Sequence, residues 1–210
     1  MPTVSRRLLL AAAGTIVVPG RQAFANELTM TPEQTEGPFY PRVLPVDSDN
    51  DLVQVRGSPA RAMGTVLHLQ GRVLDASGKP MTGAIVEIWQ CDWQGLYDHP
   101  RQPGRERRDS AFQGYGKVAT DTDSRYGFRT LKPVAYPGRT PHIHLKVATS
   151  DGRQLTTQFY LAGDPLNERD FVYREAMRDP RRRARLDMRL EPANGLEAGA
   201  FATTMDIVIA

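Results

Sequence analysis

The chain has 210 residues, 40% of them apolar, with a formal net charge of +3. That length suffices for one domain with its own core and is short for two. Arg6, Arg7 and Arg21 stand in the first 25 residues, where there is no acid; without that segment 24 basic residues face 24 acidic ones, so charge gives no ground for a nucleic-acid partner.

In chain order, residues 1–25 read as an export signal. Ser5, Arg6 and Arg7 precede an apolar run over 8–18 that is shorter than the roughly 20 residues a membrane span needs, and Ala23-Phe24-Ala25 supplies a small-x-small cleavage pattern. The adjacent arginines point to the twin-arginine type, a route for proteins exported already folded. The mature protein is then periplasmic or extracellular, with no stable membrane association. Residues 26–64 hold TPEQTEGPFYP and a polar run over 47–51, punctuated by Pro, Gly and Asn with no sustained periodicity, and form an irregular N-terminal arm. From residue 65 the character changes. TVLHLQGRVLD (65–75), AIVEIW (84–89), KVATDT (117–122) and the segments 126–131, 142–149, 155–161, 188–190 and 204–209 read as short strands between turn signals. One short helix is expected over 167–177. The fold class is all-β: an antiparallel β-sandwich over 65–210 with the arm and at most one or two short helices.

Cys91 is the single cysteine, so the chain carries no internal disulfide framework. GxSxG, Walker-type, HExxH and CxxC patterns are absent, which counts against hydrolase, nucleotide and common zinc chemistry. Asp121-Thr122-Asp123-Ser124 opens like a calcium loop, but Tyr126 stands where that loop needs glycine, and a β-turn accounts for it better. Arg181, Arg182, Arg183 and Arg185 read as a solvated face.

Two segments carry chemistry. In YPGRTPHIH (136–144), His142 and His144 sit at i and i+2, which in a strand sends both imidazoles to one face while Ile143, Leu145 and Val147 take the other. The chain has only four histidines. A polar strand face explains an isolated HxH equally well, so further ligands must come from elsewhere. Tyr136 and Arg139 stand on a Pro/Gly turn just upstream. In IWQCDWQGLYDH (88–99), the chain leaves a strand, turns through Gly95 and presents Tyr97 and His99. Two phenols with two imidazoles suit a hard, oxidised metal, and anionic oxygen favours trivalent iron over zinc or copper(I). A copper or zinc site using His99, His142 and His144 would leave both tyrosines without a role.

GRVLDASGKPMTGAIVEIWQCDWQGLYDH, the TDxxxxYGFRTLKPxxYPGRTPHIH series and LTTQFYLAGDPL together resemble the intradiol ring-cleavage dioxygenases, and TPEQTEGPFYP resembles the N-terminal signature of that family. The resemblance spans roughly residues 31–165. It implies a non-haem Fe(III) cofactor held by Tyr97, Tyr136, His142 and His144, with Tyr136 and His142 axial and Tyr97 and His144 equatorial. The implied substrates are O2 and a small dihydroxylated aromatic, cleaved between its hydroxylated carbons to a cis,cis-muconate-type diacid. Tyr136 would leave the metal and accept a substrate proton, Arg139 would stabilise negative charge on the ring, and Gln158 would orient that arginine or the substrate. Thr35, Gly37 and Pro38 would line a substrate pocket, in a neighbouring subunit if the chain forms a homo-oligomer of the protocatechuate type. Arg125, Arg129 and Arg139 are the candidates to meet a substrate carboxylate. The competing class is an iron-free sandwich acting as a binding module or partner subunit, which would be colourless.

Overall fold

A computed structural model describes residues 28–176 and 179–210. The export signal expected over 1–25, the first two residues of the arm, and Met177, the end of the expected helix, lie outside them.

Among the described residues ten strands form two sheets. β1 (Val66–Asp75), β4 (Arg125–Leu131), β8 (Glu191–Pro192), β9 (Phe201–Thr204) and β10 (Ile207–Ile209) make the first; β2 (Ile85–Trp89), β3 (Tyr115–Ala119), β5 (His142–Ala148), β6 (Gln154–Leu161) and β7 (Asp187–Met188) make the second, in the order β3-β2-β5-β6-β7. β1 pairs antiparallel with β4 along one edge, and with β9 and then β10 along the other. The expected sandwich is present, with a difference at its margins: β9 and β10 run parallel to β1, and β7 parallel to β6. No hairpin joins either set, since β9 and β10 lie far from β1 in sequence and the helical segment separates β7 from β6, which frees them from the antiparallel requirement.

Alternation along the strands builds the core. Leu67, Leu69 and Val73 of β1, Tyr126 and Phe128 of β4, and Val86, Ile88, Ile143, Leu145, Val147 and Phe159 of the second sheet are buried together between the layers. Gly71 is required here, because a Cβ would stand 1.9 Å from the Met205 carbonyl oxygen. That oxygen accepts from the Tyr126 hydroxyl at 2.7 Å.

Among the described residues the α-helices number two and are short, as expected, and within 167–177 the α-helix covers only Phe171–Ala176. A 3-10 turn over Asn167–Arg169 precedes α1 (Phe171–Ala176), and α2 is the single turn Pro180–Arg183, carrying the exposed arginine run. Asp121 closes a turn by accepting from Ser124 N at 3.0 Å, as expected of a β-turn rather than a calcium loop.

The arm is fastened at two places. Gln34 N donates to Thr156 O at 2.8 Å, Thr157 Oγ1 to Pro32 O at 2.7 Å and Gln158 Nε2 to Thr35 O at 2.9 Å, so residues 32–35 run along the part of β6 that β7 leaves uncovered. Thr31 exchanges hydrogen bonds with Val208 of β10, carrying the arm across to the first sheet. Further on, Leu52 and Val53 are fully buried in the main core. There Arg129 binds both Asp51 oxygens at 3.0 Å and Glu197 at 2.9 and 3.0 Å. The hydrogen bond from Arg129 holds the Glu197 carboxyl down to about 2. Because the folded value lies below the unfolded one, this contribution to stability is full above the ordinary carboxylate value of about 4.3 and is lost as pH falls toward 2. Glu197→Gln is therefore expected to flatten the loss of stability across that window, as read from urea midpoints at about pH 5 and about pH 2.5.

Candidate functional site

The outer face of the second sheet carries the site. Strand register places Tyr115, Trp89, His144 and Gln158 side by side across β3, β2, β5 and β6, with His142 opposite Tyr160 one row on. Period-two alternation in β5 buries Ile143 and Leu145 on the core side and turns both imidazoles to this face. His144 is fully buried and lies flat against Trp89, ring centroids 4.8 Å apart.

Two loops bring the phenols. Tyr136-Pro137-Gly138-Arg139 closes with Arg139 N donating to Tyr136 O at 2.9 Å, Pro137 at the second position and Gly138 at φ +83 in the third, the pattern of a type II turn. It sets Tyr136 and Arg139 next to one another, as the sequence predicts. The loop after β2 is organised by Asp92, whose carboxylate accepts from Gln94 N, Leu96 N and Asp109 N at 2.7–3.0 Å, which fixes Tyr97.

The four rings close into one cluster: Tyr97 to Tyr136 5.6 Å, Tyr136 to His142 5.4 Å, His142 to His144 4.7 Å and Tyr97 to His144 6.1 Å between centroids. His142 Nδ1 lies 2.6 Å from Thr140 O, and a carbonyl only accepts, so Nδ1 carries the proton and Nε2 presents a lone pair. That Nε2 faces His144 Nε2 at 3.1 Å. Burial, then Arg139, pulls the His142 imidazole down to about 3, and burial, then His142, holds His144 well below its ordinary value, so both rings are neutral donors. Tyr97 Oη and His144 Nδ1 are buried without a hydrogen-bond partner. Burial raises both phenols above the usual tyrosine range, and for Tyr136 nearby Arg139 opposes it. A cation among these rings would accept the two Nε2 lone pairs and the orphaned Tyr97 oxygen, and would supply the charge that phenolate formation requires. The residues fit a metal. Among the described residues no three His, Cys, Asp or Glu side chains gather, so the alternative built on His99 fails. His99 instead accepts from Arg101 N at 3.1 Å and stands edge-on to Phe39.

Arg139 is nearly buried and held at both ends, with Nε on Asp170 Oδ2 at 2.7 Å and Nη2 on Gln158 Oε1 at 2.6 Å. Gln158 thus orients the arginine while its amide grips the arm at Thr35 O. Asp170 also accepts from Thr140 N at 2.9 Å and, through Oδ1, from Val172 N and Tyr173 N at 2.9 and 3.1 Å, capping α1. Sequence reasoning missed Asp170, although an aspartate directly before FVYREA is a helix-start signal. It also missed Trp89, whose place beside His144 depends on register. Of the other arginines considered for a carboxylate, Arg129 is committed to Asp51 and Glu197 on the first sheet, and Arg125 is exposed beside Asp123.

Thr35, Gly37 and Pro38 line a cavity of about 930 Å³ together with Phe39, Tyr136, Arg139, Phe171 and Val172, all of the same chain. Within one chain the arm thus reaches the site beside Tyr136 and Arg139. Gly37 sits at φ +72, and a Cβ there would approach His144 Cε1 to 3.3 Å. Gly37→Ala is expected to cost about 1–2 kcal/mol, the penalty of a left-handed non-glycine residue, and to speed proteolytic nicking of the arm, read by melting temperature and limited digestion.

A family model described as Dioxygenase matches residues 35–209. The chain is 36% identical over 172 residues to a protocatechuate 3,4-dioxygenase beta chain of Burkholderia cepacia, covering 77% of this chain and 71% of that one. It is 34% identical over 161 residues to catechol 1,2-dioxygenase 1 of Acinetobacter lwoffii, covering 68% of this chain and 50% of that protein, so it spans about half the length of that relative. Among solved structures, the dioxygenase domain of a dioxygenase carbohydrate-binding protein fusion from Streptomyces sp. SirexAA-E superposes with a TM-score of 0.65 at 32% identity, covering 86% of this chain and 97% of that one. The match runs through the arm, both tyrosine loops and the histidine strand, and on this ground the chain belongs to the intradiol ring-cleavage dioxygenase family.

Proposed function

We propose that the chain is a non-haem Fe(III) dioxygenase that uses O2 to cleave a catechol-type ring between its two hydroxylated carbons, giving a cis,cis-muconate-type diacid. The observation that carries this reading is the convergence of two phenols and two neutral imidazoles beside a cavity that also holds a fixed guanidinium. Tyr97, Tyr136, His142 and His144 would hold the ion, and bound Fe(III) would supply the Lewis acidity that makes an ortho-diol reactive toward O2.

The chain's own residues do the rest. Tyr136 stands on the tight turn beside the cavity and, as a phenolate, would take a proton from an incoming hydroxyl. Arg139, locked by Asp170 and Gln158, presents positive charge to the ring as negative charge develops there. Pro38, Phe39 and Val172 give the cavity apolar walls that exclude water. Cys91, buried close to Tyr97, is no rival nucleophile, since burial pushes its thiol up to about 12.

Oxygen uptake by iron-loaded protein with a panel of dihydroxybenzenes, with identification of the product, tests the reading. Uptake with an ortho-diol and a ring-opened diacid is the expected result. Protein that is colourless and free of iron when purified, and inert after loading, would refute it. Export of the mature chain and assembly as a homo-oligomer are proposed with it, and are checked by N-terminal sequencing of the secreted protein and by sedimentation.

A further inference from the structure

Phe39 lines two cavities. One is the cavity of Tyr136 and Arg139; the other, of about 380 Å³, is lined by Trp89, Tyr97, Phe112 and Tyr115 with Val55 and residues of the 41–47 segment. Eight buried side-chain nitrogen or oxygen atoms lack a hydrogen-bond partner among the described residues. Five belong to residues lining this second cavity: Trp89 Nε1, Tyr97 Oη, Arg108 Nε, Gln113 Oε1 and Tyr115 Oη. Tyr97 Oη is accounted for by the metal set and Tyr115 Oη stands beside Glu87 and Tyr40; the other three are not accounted for.

Each such atom left unpaired costs about 1–3 kcal/mol, so their gathering on one cavity marks a place where partners come from outside the chain. Water alone matches poorly, because the space would take on the order of ten molecules at roughly 30 Å³ each, and five aromatic side chains, Phe39, Trp89, Tyr97, Phe112 and Tyr115, stand in its walls. The two cationic lining residues are already paired. Arg56 Nη2 donates to Asp49 Oδ2 at 3.1 Å and Arg108 Nη2 to Asp98 Oδ2 at 3.1 Å. An anionic ligand therefore gains no free counter-charge. The unpaired groups comprise an indole N–H, a guanidinium N–H and an amide oxygen, a set that suits a hydroxyl, which donates once and accepts twice. The aromatic walls suit a ring.

We propose that this second cavity is a binding site for a neutral single-ring phenol, held by its hydroxyl on these groups and by its ring against Phe39, Trp89 and Phe112. Phe39 stacks on Tyr97 with centroids 4.6 Å apart, so an occupant touches the pair that separates the two cavities. Binding here does not depend on a metal at the neighbouring site.

The test uses 4-bromophenol, titrated calorimetrically into the protein as purified and soaked into its crystals, where bromine anomalous scattering locates it. The expected result is a bromine peak among Phe39, Trp89 and Phe112, a dissociation constant on the order of 0.1–1 mM for a ligand of this size, and binding at least tenfold tighter than that of 4-bromobenzoate. Ser110→Trp, which places an indole on the cavity lining, is expected to weaken binding at least tenfold. Arg108→Lys, which keeps the charge and removes the Nε donor, is expected to weaken it about threefold. The proposal is overturned by bromine only beside Tyr136 and Arg139, by binding at crystal concentration only, by ordered water alone, by a second copy of the chain filling the cavity, or by equal binding of the benzoate. If Ser110→Trp does not fold, the benzoate comparison and Arg108→Lys decide. Neither readout involves turnover, so failure here leaves the reading of the metal centre untouched.

Discussion

Replacing Tyr97 with phenylalanine is expected to leave a well-folded protein that purifies pale, with iron reduced to a small fraction of one equivalent and turnover lost by several orders of magnitude. The two halves of that outcome have one origin. Tyr97 Oη is buried and has no hydrogen-bond partner among the described residues, so removing it relieves an unsatisfied hydroxyl whose burial costs about 1–3 kcal/mol. The ring itself still stacks on Phe39. A purely structural tyrosine would behave the other way round, losing stability with its hydroxyl and leaving metal content alone. Calorimetric melting of the metal-free proteins and metal analysis of the purified ones separate the two. A variant that keeps full iron and turnover would show that the phenols do not hold the ion.

The second large effect is expected at Asp170. Its carboxylate holds Arg139 and Thr140 N with one oxygen and caps α1 with the other. Alanine there strands a nearly buried guanidinium, a loss of about 3–5 kcal/mol for a broken buried pair, and frees the helix that carries Phe171 and Val172 on the cavity wall. Asn is the more informative change, because its amide oxygen can still cap the helix while the charge is gone. Asp170→Asn is expected to keep iron and colour and to lower kcat on the order of 10²-fold with a smaller change in KM, since a guanidinium free to swing no longer meets charge developed only in the transition state. A role confined to stability would lower the melting temperature of the Asn variant and leave kcat where it was.

How far these residues were legible in the sequence follows from the range of the forces that place them. Period-two alternation put His142 and His144 on one face and Ile143 and Leu145 on the other, and Pro137-Gly138 announced the turn that pairs Tyr136 with Arg139; both are local. β9 and the start of β3 escaped notice because Phe201–Thr204 and Tyr115 are paired with strands distant in sequence rather than marked by their own pattern. Trp89 against His144 and Asp170 under Arg139 are matters of register and tertiary contact, which no window of neighbouring residues contains. The arm showed its motif but not its destination, since Thr35 and Gly37 find their partners on β5 and β6.

That destination bears on how the protein comes into being. The contacts fastening the arm to β6 span 123 to 126 residues of sequence, so the arm can dock only after β6 has been made. Until it does, part of β6 offers bare backbone to any passing strand, the template from which intermolecular aggregates grow. Docking of the arm thus belongs to the late part of folding, because closing so long a loop costs entropy before the contact repays it.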